Sequence, residues 1–181
     1  MKDVPFLKGN GFYLRELRET DLSGDWYQWL NDAEVTRFQN KKIFPNSRER
    51  QSAYYESLAA SQSDVVLAIA DSDSHRHIGN VGLHKIDWVH RSAELGILLG
   101  EREFWGKKIG KQAWALISEY GFTTLNLHRI YAWVVEGNTA SLKCAQAAGF
   151  KEEGFIREMF YKEGRYLGAH YMNALREDRK H

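Results

Sequence analysis

Apolar and polar positions along this chain change period several times, and each change marks an element. Alternation over residues 12–17 predicts a first strand. Thr20 or Asp21 can cap a helix running to about Leu30, with Trp26, Trp29 and Leu30 as its apolar stripe and Asn31-Asp32 as its stop. Residues 35–45 read as loop with a helical turn. Asn46 and Glu49 form a capping box for a helix to about Ala60. Residues 65–70 predict a strand and 71–75 a polar turn. Strands over 78–87 and 91–99, joined by a turn at 88–90, predict an antiparallel hairpin. A helical period follows over 107–122, carried by Ile109, Ala113, Leu116, Ile117 and Tyr120. Residues 129–135 alternate as a strand. Asn138-Thr139 starts a helix to about Ala148, and Gly149 stops it. Residues 150–160 and 166–175 close the chain as a hairpin around Glu163-Gly164. The result is a mixed α/β chain of the α+β class, with antiparallel hairpins at both ends of a βαβ core.

The 181 residues suit one domain over 1–181, with no repeat or linker to divide it. A net charge of +1 gives no general attraction to nucleic acid, so no nucleic-acid partner is expected. Cys144 is the single cysteine, which excludes an internal disulfide and a cysteine zinc site and fits a reducing compartment. The histidines at 75, 77, 84, 90, 128, 170 and 181 lack metal-ligand spacing on a helix, and no metal is expected. The opening MKDVPFLKGN has no apolar run of signal-peptide length, and no window approaches a membrane span. The expected location is cytoplasmic, away from membranes.

Candidate chemistry begins between the strand 93–99 and the helix after it. A charged, glycine-flanked loop at 100–106 runs into Lys107, Lys108 and Lys111. Free N–H groups at a helix start, with the helix dipole, make a site for phosphate. A P-loop is ruled out: Gly106 and Gly110 have three residues between them, and Gln112 follows Lys111. No G-x-G-x-x-G is present either. The stretch Trp105-Gly106-Lys107-Lys108-Ile109-Gly110 resembles the acetyl-CoA pyrophosphate loop of the GNAT N-acetyltransferases. Trp105 stands where that family has Arg or Gln, and Lys108 where it has its first Gly. Lys108 would then need a backbone angle that suits glycine. The plain alternative is a lysine-rich helix start on a solvated face.

A second segment, EGNTASLKCAQAAGF at 136–150, resembles the family's other signature: Asn138, Ser141 and Gly149-Phe150 fall on its places in the right order. Residues 29–32 and His128-Arg129 are similar to the RimJ/RimL-type branch. The resemblance implies a GNAT-like fold, a central, mostly antiparallel twisted sheet splayed in the middle and flanked by helices. It implies acetyl-CoA as cosubstrate. The strand bearing Ile97, Leu98 and Leu99 would part from its neighbour at 131–135 and bond the pantetheine arm. Backbone around 106–111 would hold the pyrophosphate, with Lys107, Lys108 or Arg102 on the remaining phosphate. Asn138 would bond the arm from the other wall, and Ser141 would sit near the sulfur. Each has a structural alternative, a helix cap for Asn138 and a first-turn hydroxyl for Ser141.

Acetyl transfer to an amine needs a base, a polarised thioester oxygen and a stabilised thiolate. A backbone N–H near Ile97 or Leu98 can serve the oxygen. If the hairpin turn centres on Val89, His84 lies opposite Glu94, and the pair can act as base. Glu94 alone is the second option and a plain ion pair the third. Many relatives carry a Tyr four residues after Ser141; here that residue is Ala145, which leaves Ser141, water or another tyrosine for the thiolate. Cys144 in apolar helix company reads as packing, so attack is direct, with no acyl-enzyme. Trp29, Asn31, Asp32 and Arg37 are the candidate acceptor contacts. A protein N-terminal amine is the first expectation for the acceptor. A polyamine, a nucleotide-linked amino sugar or non-catalytic CoA binding are the alternatives, and a homodimer is left open.

Overall fold

The structure is a computed structural model that describes residues 4–39 and 44–178. Part of the predicted loop at 35–45, and His181, lie outside the described residues. The order is β1 (Leu7–Lys8), β2 (Phe12–Glu16), α1 (Trp26–Trp29), α2 (Arg48–Ala60), β3 (Val65–Asp71), β4 (His77–Asp87), β5 (Ser92–Leu99), α3 (Ile109–Thr123), β6 (Arg129–Val135), α4 (Thr139–Ala147), β7 (Lys151–Lys162) and β8 (Arg165–Leu175). The strands form one sheet in the order β1-β2-β3-β4-β5-β6-β8-β7. Every neighbouring pair is antiparallel except β5 with β6. That is the βαβ core with hairpins to either side. Among the described residues no helix is long and apolar enough to cross a membrane.

Helix α3 packs on β4, β5 and β6. Its buried face is Ile109, Ala113, Trp114, Ile117, Ser118, Gly121 and Phe122. These pack with Val81, Leu83, Leu95, Ile130 and Ala132 in the main core. Trp114 is wholly inside, beyond the predicted stripe. The opposite sheet face is covered by a smaller cluster, in which Trp26, Trp29 and Val35 pack with Tyr54, Tyr55 and Leu98. Odd-numbered residues of β5 therefore face α3 and even-numbered ones face α1 and α2.

The predicted helix from Thr20 to Leu30 is instead two short pieces, a 3₁₀ turn at Glu19–Ser23 and α1, separated at Gly24. Asp21 explains the break. Its carboxylate is drawn inward to Arg15, bonding both guanidinium nitrogens at 2.8 and 2.7 Å, and it also accepts from the Arg18 N–H. Ser47, one residue after the expected Asn46, caps α2 by accepting from Arg50 N–H. Asn46 is bonded instead to Asn31, Tyr27 and Gln51.

Two backbone features bear on the site. The bulge on β4 between His84 and Asp87 carries Lys85 at φ 51°. At the start of α3, Gly106 takes φ 76° and Lys108 takes φ 64°, ψ 6°. Lys108 does occupy the left-handed region that favours glycine.

Lys108→Gly should raise stability by about 1 kcal/mol in urea denaturation, since a Cβ at this angle is strained; an unchanged midpoint would mean the loop carries no such strain. Asp21→Ala should cost about 3–5 kcal/mol by stripping a carboxylate from buried Arg15. Burial pushes the Asp21 carboxyl up, but hydrogen bonds from Arg15 and the charge of His77 outweigh it and hold it below its ordinary value. Its stabilisation is therefore present above the ordinary carboxylate range and fades as pH falls through the lowered one. The acid limb of stability against pH should be flatter in the alanine variant.

Candidate active site

The parallel strands β5 and β6 are paired at only three places: Ser92 with Arg129, Ala93 with Ile130 and Glu94 with Tyr131. Beyond Glu94, β5 stays on β4 through Leu99, and β6 stays on β8 through Val135. A wedge opens between them. Residues of an antiparallel strand alternate between bonding the partner and pointing away. Gly100 N–H bonds Ile78 C=O at 2.9 Å, and Leu98 pairs with Asn80, so even-numbered β5 residues are bonded to β4. The backbone of Leu95, Ile97 and Leu99 faces the wedge. Leu98, expected among the cofactor contacts, is corrected on this ground: its backbone serves β4 and its side chain joins the second apolar cluster.

Two wedge-facing carbonyls already have donors. The Gln39 side-chain amide donates to Ile97 C=O at 3.0 Å, and the Trp105 indole N–H donates to Leu99 C=O at 2.9 Å. The N–H groups of Ile97 and Leu99 remain on the same edge for a ligand carbonyl, the complement a pantetheine amide would supply. At the end of β5, Gln112 N–H makes the first α3 bond, to Lys108 C=O. The N–H groups of Ile109, Gly110 and Lys111 precede it, and Lys108 offers no side-chain cap. These donors, the dipole and the exposed lysines 107, 108 and 111 suit a diphosphate. Arg102 does not join them, because its guanidinium is bound to both Asp32 oxygens at 2.6 and 2.8 Å. Gly110 lies against Ile97 and Cys144, so helix start, open strand and α4 meet at one point.

On the other wall, the Asn138 side chain caps α4 by accepting from Ser141 N–H at 3.1 Å. Its amide NH₂ group keeps two donors. Ser141 is half-buried in the first turn. Ala145 is fully buried, so the position four residues after Ser141 is core. Burial pushes the Cys144 thiol up, against nucleophile duty.

The expected register holds: His84 is opposite Glu94. The expected His84–Glu94 contact is not made. His84 Nδ1 is 2.9 Å from Asp64 Oδ1, while Glu94 Oε2 takes Lys85 Nζ at 2.8 Å. The β4 bulge is the reason, since it brings Lys85 onto Glu94. Asp64 is held below its ordinary pKa: burial raises it, but hydrogen bonds from Ser61 and His84 prevail. An ionised Asp64 can only accept, so Nδ1 carries the proton and Nε2 presents a lone pair when the ring is neutral. That nitrogen lies over Gly96 of the opened strand: a Cβ there would come within 3.3 Å of it. Asp64 and Gly96 are missed by motif reasoning; a carboxylate just before a strand and a glycine within one were the available signals.

Three of the four expected acceptor contacts hold the fold. Trp29 is buried, donates to Glu101 Oε1 at 2.9 Å and sits where a side chain on Gly100 would be. Asn31 is bonded to Tyr27 and Asn46. Asp32 caps the turn at Glu34 and Val35 and binds Arg102. Arg37 alone opens on a cavity, shared with Asn138, Lys162 and Arg165. Among the described residues no group of three or more His, Cys, Asp or Glu could hold a metal ion.

Residues 12–151 match the family model described as an acetyltransferase (GNAT) domain. An N-acetyltransferase of Bacillus licheniformis, p20, is 30% identical over 167 residues, covering 90% of each chain. A putative ribosomal N-acetyltransferase of Bacillus subtilis is 33% identical over 100 residues, 55% of this chain and 54% of its own. The crystal structure of a spermidine N-acetyltransferase from Vibrio cholerae, in complex with CoA and spermine, superposes with a TM-score of 0.85 at 27% identity, over 93% of this chain and 97% of that one. With a wedge opened between β5 and β6, a helix start at its mouth and a match over most of its length, this chain belongs to the GNAT acetyltransferase family, as an acetyl-CoA-dependent acyltransferase.

Proposed function

We propose that the enzyme transfers the acetyl group of acetyl-CoA directly to a protein N-terminal amine, with no acyl-enzyme, as a member of the RimJ/RimL-type branch. The observation that carries acetyl transfer is the wedge, with free N–H groups of Ile97 and Leu99 on one edge and the N-terminus of α3 at its mouth. Acetyl-CoA supplies the activated acyl carbon and a thiolate leaving group. His84 Nε2 takes the amine proton as the amine nitrogen attacks the thioester carbonyl, and Asp64 holds the ring and steadies its positive charge. The Ile97 N–H donates to the developing oxyanion. The carbon–sulfur bond breaks, and the thiolate leaves beside Ser141 and the Asn138 amide. Glu94 is the poorer base, since Lys85 neutralises it.

A second reading, a polyamine acceptor, is favoured by the name of the Vibrio cholerae relative. A thiol-release assay separates the two: N-terminal peptides should turn over with higher kcat/KM than spermidine, and the reverse order would replace the first reading with the second. Calorimetry should detect acetyl-CoA binding; its absence would remove the whole proposal. His84→Gln should lower kcat on the order of a hundredfold, and Asp64→Asn about tenfold with an altered pH–rate profile, both leaving KM for acetyl-CoA unchanged. A larger loss in Glu94→Gln than in His84→Gln would reassign the base.

A further inference from the structure

We infer that the cavity beside the β6–α4 turn is the acceptor pocket, and that it selects a primary amine carrying a carboxylate close by, an acidic peptide N-terminus. The inference rests on the acetyl-transfer reading above and names the substrate class of that site.

The cavity, of about 320 Å³, is lined by Arg37, Phe38, Glu136, Asn138, Lys162 and Arg165 among others. One residue links its lining to the wedge. The Gln39 side chain donates to Ile97 C=O on β5, while the Gln39 backbone carbonyl accepts from Lys162 Nζ on β7 at 2.6 Å. An acceptor whose amine enters the wedge would therefore lay its neighbouring residues toward the cavity.

The charges are uneven. Five ionisable groups line the cavity: Arg37, Lys162, Arg165, Glu136 and Glu163. Both carboxylates have partners. Glu136 Oε2 accepts from Gly168 N–H at 3.0 Å, and Glu163 lies 3.9 Å from Arg37. Among the described residues neither Lys162 nor Arg165 has a carboxylate within ion-pair distance. Lys162 is half-buried against a neutral carbonyl, and burial pulls its pKa down against the weaker opposing charge of Glu163. A half-buried cation held only by a neutral carbonyl gains from an anion that enters with the ligand.

Two physical consequences favour the same acceptor. A polycation would bring like charges against three basic side chains, whereas a carboxylate two or three residues from an N-terminus would meet Lys162 and Arg165. The amine must also arrive uncharged. An α-amine, with an ordinary pKa of about 8, loses its proton far more easily than a polyamine nitrogen near 10, and a cationic wall lowers it further.

The test compares two peptides identical except at their second and third residues, Ser-Glu-Glu and Ser-Lys-Lys, with spermidine as a third acceptor. The wild-type kcat/KM should favour the acidic peptide over the basic one by about tenfold, falling with added salt. The double variant Lys162→Gln/Arg165→Gln keeps a donor for the Gln39 carbonyl. It should lose that preference through KM for the peptide, with KM for acetyl-CoA unchanged. Equal or higher activity with the basic peptide or spermidine, or a preference that survives in the double variant, would overturn the inference. Peptide affinity for the CoA-saturated enzyme, read by calorimetry, separates this from failure of the function itself. Charge-selective binding without turnover would overturn acetyl transfer and keep the pocket. Turnover or binding without charge selection would overturn the pocket.

Discussion

The structure depends on β5 and β6 being unable to follow each other past Glu94 and Tyr131. Each strand is bonded along its other edge for its whole length, β5 to β4 and β6 to β8. Their backbone groups on the inner edge are left without a strand. Buried N–H and C=O groups cannot stay unpaired at small cost. The fold settles part of the deficit with side chains, Gln39 on Ile97 and Trp105 on Leu99. It leaves the donors of the same residues for a ligand. A binding site is thus a shortage of hydrogen bonds built into the sheet, and a ligand with alternating amides is its natural complement.

Around that edge the protein separates its charges. Carboxylates near the wedge are already engaged: Asp32 by Arg102, Glu94 by Lys85, Asp64 by His84. Among the described residues the lysines at the helix start make no ion pair with a carboxylate, and the Lys107 ammonium lies over the Phe104 ring. The strain at Lys108 fits this division. A glycine would relax the loop, but a lysine adds charge where a diphosphate would sit. Stability at the loop is exchanged for charge.

The two ends of the wedge are joined by a short stretch of chain. Residues 36–39 touch β5 through the Gln39 amide, approach the β6–α4 turn where Phe38 nears Gly137, and meet β7 through Lys162.

Local sequence was enough for the strands from β3 to β6, for α3 and α4, and for the closing hairpin, because apolar period, caps and turn glycines are properties of neighbours in the chain. His84 does lie opposite Glu94, but the turn alone does not set that pairing: Asp87 pairs with Ser92, and the β4 bulge supplies the one-residue shift. The first helix was misread because Asp21, a good cap on paper, is pulled inward by Arg15. Lys85, Asp64 and Gln39 were not legible as site neighbours. Contacts of a side chain depend on a bulge, on a residue 20 positions away and on a segment 58 positions from Ile97. Motif spacing put Asn138 at the start of α4 and the stretch 105–110 at the start of α3. Only the tertiary structure decided which of His84's neighbours is its partner and which β5 groups face the wedge, because both follow from how separate strands twist and part, and no local period encodes that.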